Sequence, residues 1–188
     1  MIVEKYARHV VDEMIEADYC HQLILGISLL KAQSSYIEGF DLLYSDGLSG
    51  VYNDGIEKLI ADVASRGVLG TSLDSVYKRI PDTEKFPEQE GMFAQIAMIS
   101  LWYLMKYVET LEFDNFLKSI EGYFENKDVE NQLSQRPLGD DVLFGRVAVK
   151  VARALEEIGR EGRGEVPSIN FVVNAVASAL CDDYEGDG

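Results

Sequence analysis

The sequence predicts an all-α fold: a single-domain orthogonal bundle of about eight helices. Three observations carry this. Apolar residues recur at helical spacing along nearly the whole chain. No segment alternates apolar and polar residues as a half-buried strand does, and no internal repeat stands out. The chain has 188 residues, 47% hydrophobic and 27% charged, which suffices for one core and is short for two.

The elements follow in order. Val3, Ala7, Val10 and Met14 line one face of a first helix, widened by Tyr6, Val11 and Ile15. Asp18 is placed to cap a second helix through Leu23, Ile27 and Leu30, whose lack of charge from His21 to Leu30 predicts a central position. Ser34 or Ser35 caps a third, bearing Tyr36, Ile37, Phe40 and Tyr44, and Asp46-Gly47 ends it. A connection containing Gly47 and Gly50 leads to a helix around Ile56, Leu59, Ile60 and Val63, stopping near Arg66-Gly67. Thr71 or Ser72 opens a short helix through Leu73, Val76, Tyr77 and Ile80, and Pro81 stops it. Pro81 to Pro87 is a bounded loop.

From Phe93 to Val108 the chain is apolar nearly all round, which predicts a buried central helix with Phe93, Ile99, Leu101, Trp102 and Leu104 in the core. An amphipathic helix with Phe116, Ile120 and Phe124 comes next, then a loop at Arg136-Pro137-Leu138-Gly139. Leu143, Val147, Val151, Ala154, Leu155 and Ile158 form the stripe of another helix, closed by Gly159, Gly162 and Gly164. Pro167-Ser168 opens the last helix, through Phe171, Val172, Ala175, Val176, Ala179 and Leu180. Residues 1–181 are thus expected as one helical domain, and 182–188 as an acidic flexible tail.

Seventeen Lys and Arg stand against thirty-three Asp and Glu, a net charge of −16, so a phosphate backbone is repelled and a nucleic-acid role is disfavoured. A basic protein partner is favoured by the same field. The longest uncharged runs, Gly91 to Met105 and Val166 to Cys181, fall short of the ~20 apolar residues of a membrane span, and no signal-like segment opens the chain. The expectation is a cytoplasmic protein without a membrane role. Cys20 and Cys181 read as reduced, buried thiols, with a disulfide between them left open.

Ile80-Pro81-Asp82-Thr83-Glu84-Lys85-Phe86, followed by the alanine-bearing Gly91-Met92-Phe93-Ala94-Gln95-Ile96-Ala97, resembles the YjaG-like family of uncharacterised bacterial proteins. The segments His21 to Tyr44 and Leu48 to Val63 fit the same layout, so the resemblance covers roughly the first 110 residues. It implies an all-helical fold and no catalytic residues.

Two carboxylate pairs, Glu13-x-x-Glu16 and Glu38-x-x-Asp41, have the spacing of the Mg²⁺ motif in all-α nucleoside-triphosphate pyrophosphatases. They are the catalytic candidates of an alternative enzyme reading in which Mg²⁺ is the cofactor. The preferred meaning is a solvated face, because Glu16 lies nearly opposite the apolar stripe and no basic cluster accompanies the pairs. Asp18-x-x-His21 has the i, i+3 spacing of half a di-iron carboxylate site, without a second His and acidic partner to complete it, so no metal site is expected. Neither a nucleophile elbow nor a phosphate loop is present. Arg146, Lys150, Arg153 and Arg160, interleaved with Glu156 and Glu157, read as a solvated face laced with ion pairs or, alternatively, as an anion-binding ridge.

Between Glu109 and Glu130 the acids Glu109, Glu112, Asp114, Glu121, Glu125, Asp128 and Glu130 face only Lys118 and Lys127. These seven are the candidate partner-binding residues. The functional expectation is a non-enzymatic acidic interaction protein, in concrete form a bacterial immunity (antitoxin-like) protein that blocks a basic toxin or nuclease. A homo-oligomer is the remaining alternative.

Overall fold

A computed structural model describes residues 2–65, 73–161 and 169–181. Among them are nine helices and no strand: α1 (Ile2–Glu13), α2 (Tyr19–Lys31), α3 (Ser34–Tyr44), α4 (Leu48–Ser65), α5 (Leu73–Tyr77), α6 (Gln89–Thr110), α7 (Phe113–Leu133), α8 (Asp140–Glu161) and α9 (Ile169–Cys181). The all-α single-domain bundle is therefore what the chain forms, with α5 a single short turn of helix.

The scaffold is a hairpin of the two long helices α6 and α7. Leu111 adopts a left-handed cap (φ 56°) and its N–H donates to the Tyr107 carbonyl at 2.7 Å, so the chain reverses within two residues. α6 also packs on α2, α3, α4 and α5, which accounts for its nearly all-round apolarity. α2 is the second core element. It touches α4, α6, α7, α8 and α9, and Leu23, Leu25, Ile27, Leu29 and Leu30 are sealed from water. α1 lies on α7 and α8, and α9 on α2 and α8.

Buried polar groups tie these helices together. Gln22 donates from Nε2 to the carbonyls of Met14 and Ala17 at 2.9 and 3.1 Å, and its Oε1 accepts from the Tyr107 hydroxyl. One side chain thus pins the turn after α1 to both α2 and α6. Asn126 on α7 donates to Gln33 Oε1 at 2.7 Å, and Gln33 donates to the Leu29 carbonyl at 3.2 Å. Such bonds contribute modestly when made and are costly when one partner is removed.

Several boundaries differ from expectation. α1 stops at Glu13, and Met14 N–H turns to the Val11 carbonyl at 3.0 Å, so Ile15 leaves the apolar face and is 56% exposed. α3 is preceded by Gln33, which makes no side-chain cap, rather than capped by Ser34 or Ser35, and it ends at the left-handed Ser45. α4 starts at Leu48 and runs through Gly50, because Asp41 caps it from α3: its carboxylate accepts from the N–H groups of Leu48 and Ser49 at 2.8 and 2.7 Å. α8 continues through Gly159. Trp102 and Ile99 are only partly buried, and Phe171 is exposed, whereas Phe93, Leu101 and Leu104 are buried as expected. The helix boundaries expected at Arg66-Gly67, Thr71-Ser72 and Gly162 to Ser168, and the tail, lie outside the described residues, as does the side chain of Cys181. Cys20 is a free, partly buried thiol.

Candidate functional site

The four carboxylates of the enzyme reading are not brought together on paired helices. α1 packs chiefly on α7 and α8, whereas α3 packs on α4 and α6. Glu16 lies beyond the end of α1, exposed in the turn, so Glu13 and Glu16 do not share a helical face. The Glu13 side chain lies outside the described residues. Glu38 is exposed, and both Asp41 oxygens are engaged in capping α4. Burial would raise the Asp41 pKa, but hydrogen bonds from Ser49, Leu48 and Gly47 outweigh it and hold the carboxyl below the ordinary value. Among the described residues no group of three His, Cys, Asp or Glu is arranged to hold a metal.

Asp18 caps α2 as expected, accepting from His21 N–H at 3.0 Å, and its other oxygen meets His21 Nδ1 at 2.8 Å. Burial again works upward, yet the His21 contacts leave the Asp18 pKa lowered. The Asp18–His21 pair is a helix cap with its own side-chain bond. A buried acid that the sequence did not single out is Asp62, which accepts from the Tyr19 hydroxyl at 2.8 Å. Burial first, and then this carboxylate, push the Tyr19 phenol up.

The seven acids between Glu109 and Glu130 divide into separate settings. Asp114, Glu121 and Glu125 follow one another on the face of α7 that meets α1. With Glu4, Arg8, Lys118, Val3 and Leu117 they line a cleft of about 320 Å³. Four carboxylates there face two cations. Arg8 lies 3.6 Å from Glu4, and Lys118 also stands over the Tyr103 ring at 5.0 Å. Burial pushes the Glu121 pKa up, Glu4 adds to the shift, and Lys118 and Arg8 offset it only in part. Burial also raises Glu125, reinforced by the neighbouring Glu121. The other four acids lie elsewhere. Glu109 and Glu112 are exposed at the α6–α7 turn, with Glu112 accepting from Asn115 at 3.2 Å. Asp128 accepts from Gln132 at 2.9 Å, and Glu130 is paired with Lys127 at 2.8 Å and bonded by the Tyr36 hydroxyl at 3.1 Å.

A second cleft, of about 470 Å³, opens on the other side of α7, against α8 and the loop joining them. Its charged lining is Lys127, Arg136, Arg146 and Lys150 against Glu130 alone. Arg146 and Lys150 belong to the stripe seen in the sequence. Lys127 and Arg136 come from other elements, and no spacing rule links them to it. No helix among the described residues is long and apolar enough to cross a membrane. Comparison with protein-family models, with curated proteins and with solved structures found no match to this chain.

Proposed function

We propose that the chain binds a basic segment of a partner protein in the acidic cleft between α1 and α7. The observation that carries this reading is the repulsion built into that cleft. Glu121 and Glu125 are partly buried beside each other and beside Glu4, and both have raised pKa values in the folded chain. A carboxylate whose charge is disfavoured by its surroundings gains from any cation brought to it. A Lys or Arg entering the cleft relieves repulsion that Arg8 and Lys118 leave in place, and the −16 net charge steers that cation in. In concrete form this is a cytoplasmic bacterial immunity protein that covers the basic surface of a toxin or nuclease. Kinship with YjaG-like proteins belongs to the same proposal.

The experiment is titration with a helical Lys/Arg-rich peptide, followed by NMR of the α1 and α7 amides. Binding is expected to shift signals around Glu4, Glu121 and Glu125. The double variant Glu121→Gln, Glu125→Gln is expected to weaken it about tenfold at low salt. Equal affinity for parent and variant, or shifts elsewhere on the chain, overturns the reading.

A further inference from the structure

The cleft between α7 and α8 runs against the composition of the chain. Acids outnumber bases about two to one overall, yet four of the five charged residues lining this cleft are basic. Lys127 is neutralised by Glu130 at 2.8 Å and lies over the Tyr36 and Tyr123 rings. Lys150 donates to the Leu180 carbonyl at 3.3 Å, a neutral acceptor, and makes no ion pair among the described residues. Arg136 and Arg146 are exposed and have no ion-pair partner among the described residues. Among the described residues these three cations therefore stand together without an acidic partner.

The cleft is also held open and in shape. Its walls are one face of α7 (Tyr123, Lys127, Glu130, Asn131) and one face of α8 (Leu143, Arg146, Val147, Lys150), two helices that touch each other sparsely. The loop carrying Arg136 is pinned by Asn131, whose Nδ2 donates to the Leu138 carbonyl at 3.0 Å and whose Oδ1 accepts from Leu138 N–H at 2.8 Å. That clamp reduces the ordering cost a ligand would otherwise meet. Tyr123, Leu138, Leu143 and Val147 supply an apolar floor beneath the cations.

We propose that this cleft binds a small organic dianion: a phosphate monoester or a dicarboxylate carried on an apolar body. The guanidinium groups of Arg136 and Arg146 each present paired N–H donors that match phosphate or carboxylate oxygens, and Lys150 adds a point charge. The apolar body lies on the floor and covers it from water. At about 470 Å³ the space is that of a metabolite rather than of a bare ion. This site is independent of the acidic cleft on the other side of α7.

The probes are phenyl phosphate and phthalate, titrated into the full chain at constant ionic strength and followed through the methyl signals of Leu143 and Val147. At least one is expected to bind with a Kd on the order of 1 mM, the scale for so small a ligand, and the tighter of the two identifies the head group. Inorganic phosphate, which cannot use the floor, is expected to bind at least about tenfold more weakly. The variant Arg136→Gln, Arg146→Gln replaces exposed side chains and keeps the fold, which far-UV circular dichroism checks. It is expected to weaken binding about tenfold or more, while Lys78→Gln, on exposed α5-proximal surface, leaves it within about twofold. The proposal falls if neither probe binds below about 10 mM, if the double arginine variant binds as well as the parent, or if inorganic phosphate binds as tightly as the probes.

Discussion

At Gly122 α7 presses closely on α6, and Gly122→Ala tests that packing. A Cβ at position 122 would lie 1.9 Å from Ser100 Oγ, 3.3 Å from Ser100 Cβ and 3.4 Å from Ile96 Cγ2. Ser100 is sealed from water, and its hydroxyl donates to the Ile96 carbonyl at 2.9 Å. The new methyl group therefore either spreads the helices or turns the hydroxyl out of its bond. Overpacking of this kind costs about 1–3 kcal/mol, and a buried hydroxyl deprived of its partner about the same, so the chain takes whichever is cheaper. Alanine regains about 1 kcal/mol over glycine inside a helix. A contact as short as 1.9 Å puts the overpacking cost in the upper half of its range, so the expected net loss is about 1–2 kcal/mol, or a Tm drop of roughly 2–8 °C for a chain of this size.

Ser100→Ala separates the clash from every other effect. It removes the atom at 1.9 Å and leaves the contact at 3.3 Å, which neighbours accommodate by a few tenths of an ångström. The lost hydroxyl was bonded to a carbonyl of its own helix, so this change alone costs under about 1 kcal/mol. The double variant keeps the propensity gain without the collision and is expected to be at least as stable as Ser100→Ala alone, a coupling of about 2 kcal/mol. Urea melts with matched m values measure all four species. If Gly122→Ala is as stable as the parent, or if Ser100→Ala fails to rescue it, the close α6–α7 approach is not what this glycine serves.

Asp41 serves two N–H groups of α4 with its two charged oxygens and Asn offers one neutral one, so Asp41→Asn is expected to lose about 1 kcal/mol at neutral pH. Because the folded-state pKa of Asp41 is lowered, the parent's advantage is full above the ordinary carboxyl value and shrinks as pH falls through the folded value; urea melts from pH 7 to pH 3 that show a constant gap refute the assignment. Glu125 has the opposite sign. Its raised folded-state pKa means that ionisation costs stability above that value and nothing once pH falls below the unfolded one, so Glu125→Gln is expected to stabilise the fold by some tenths of a kcal/mol at pH 7, the gain vanishing in acid. A loss of stability at pH 7 would show that Glu125 is satisfied within the chain.

The helices were legible because apolar spacing reports which face is buried, and Asp18 because a cap lies beside the N–H groups it serves. Asp41 was not legible as a cap, since the amides it serves lie seven and eight residues on, across the turn after α3. Trp102 read as core because α6 is apolar all round. In the fold Trp102 is only partly buried, beside the small α5, where the ring packs 5.7 Å from Tyr77 and takes Lys106 on its face at 5.0 Å. The acidic run read as one surface, since sequence proximity does not say which side of a helix each residue takes. Helical rotation sends Asp114, Glu121 and Glu125 toward α1, and Glu130 into the other cleft. Half of the basic cleft was visible as a stripe on α8. The other half is contributed by α7 and the loop that follows it, and only the packing of α7 beside α8 assembles the four cations.

α7 therefore lies between two clefts of opposite charge, and the consequences for binding differ. Toward the acidic cleft the local field and the −16 of the whole chain act together, so a cation is attracted from a distance and held on arrival. Toward the basic cleft they oppose each other. At physiological ionic strength the screening length is about 8 Å, which confines the relevant charges to the cleft lining, where Arg136, Arg146 and Lys150 outweigh Glu130. At about 0.01 M it lengthens to about 30 Å, and acids across the whole molecule repel the approaching anion. Salt thus only weakens a cationic partner's hold, while for an anion it first removes a barrier and later screens the attraction. The two clefts share a helix and still answer ionic strength with different curves.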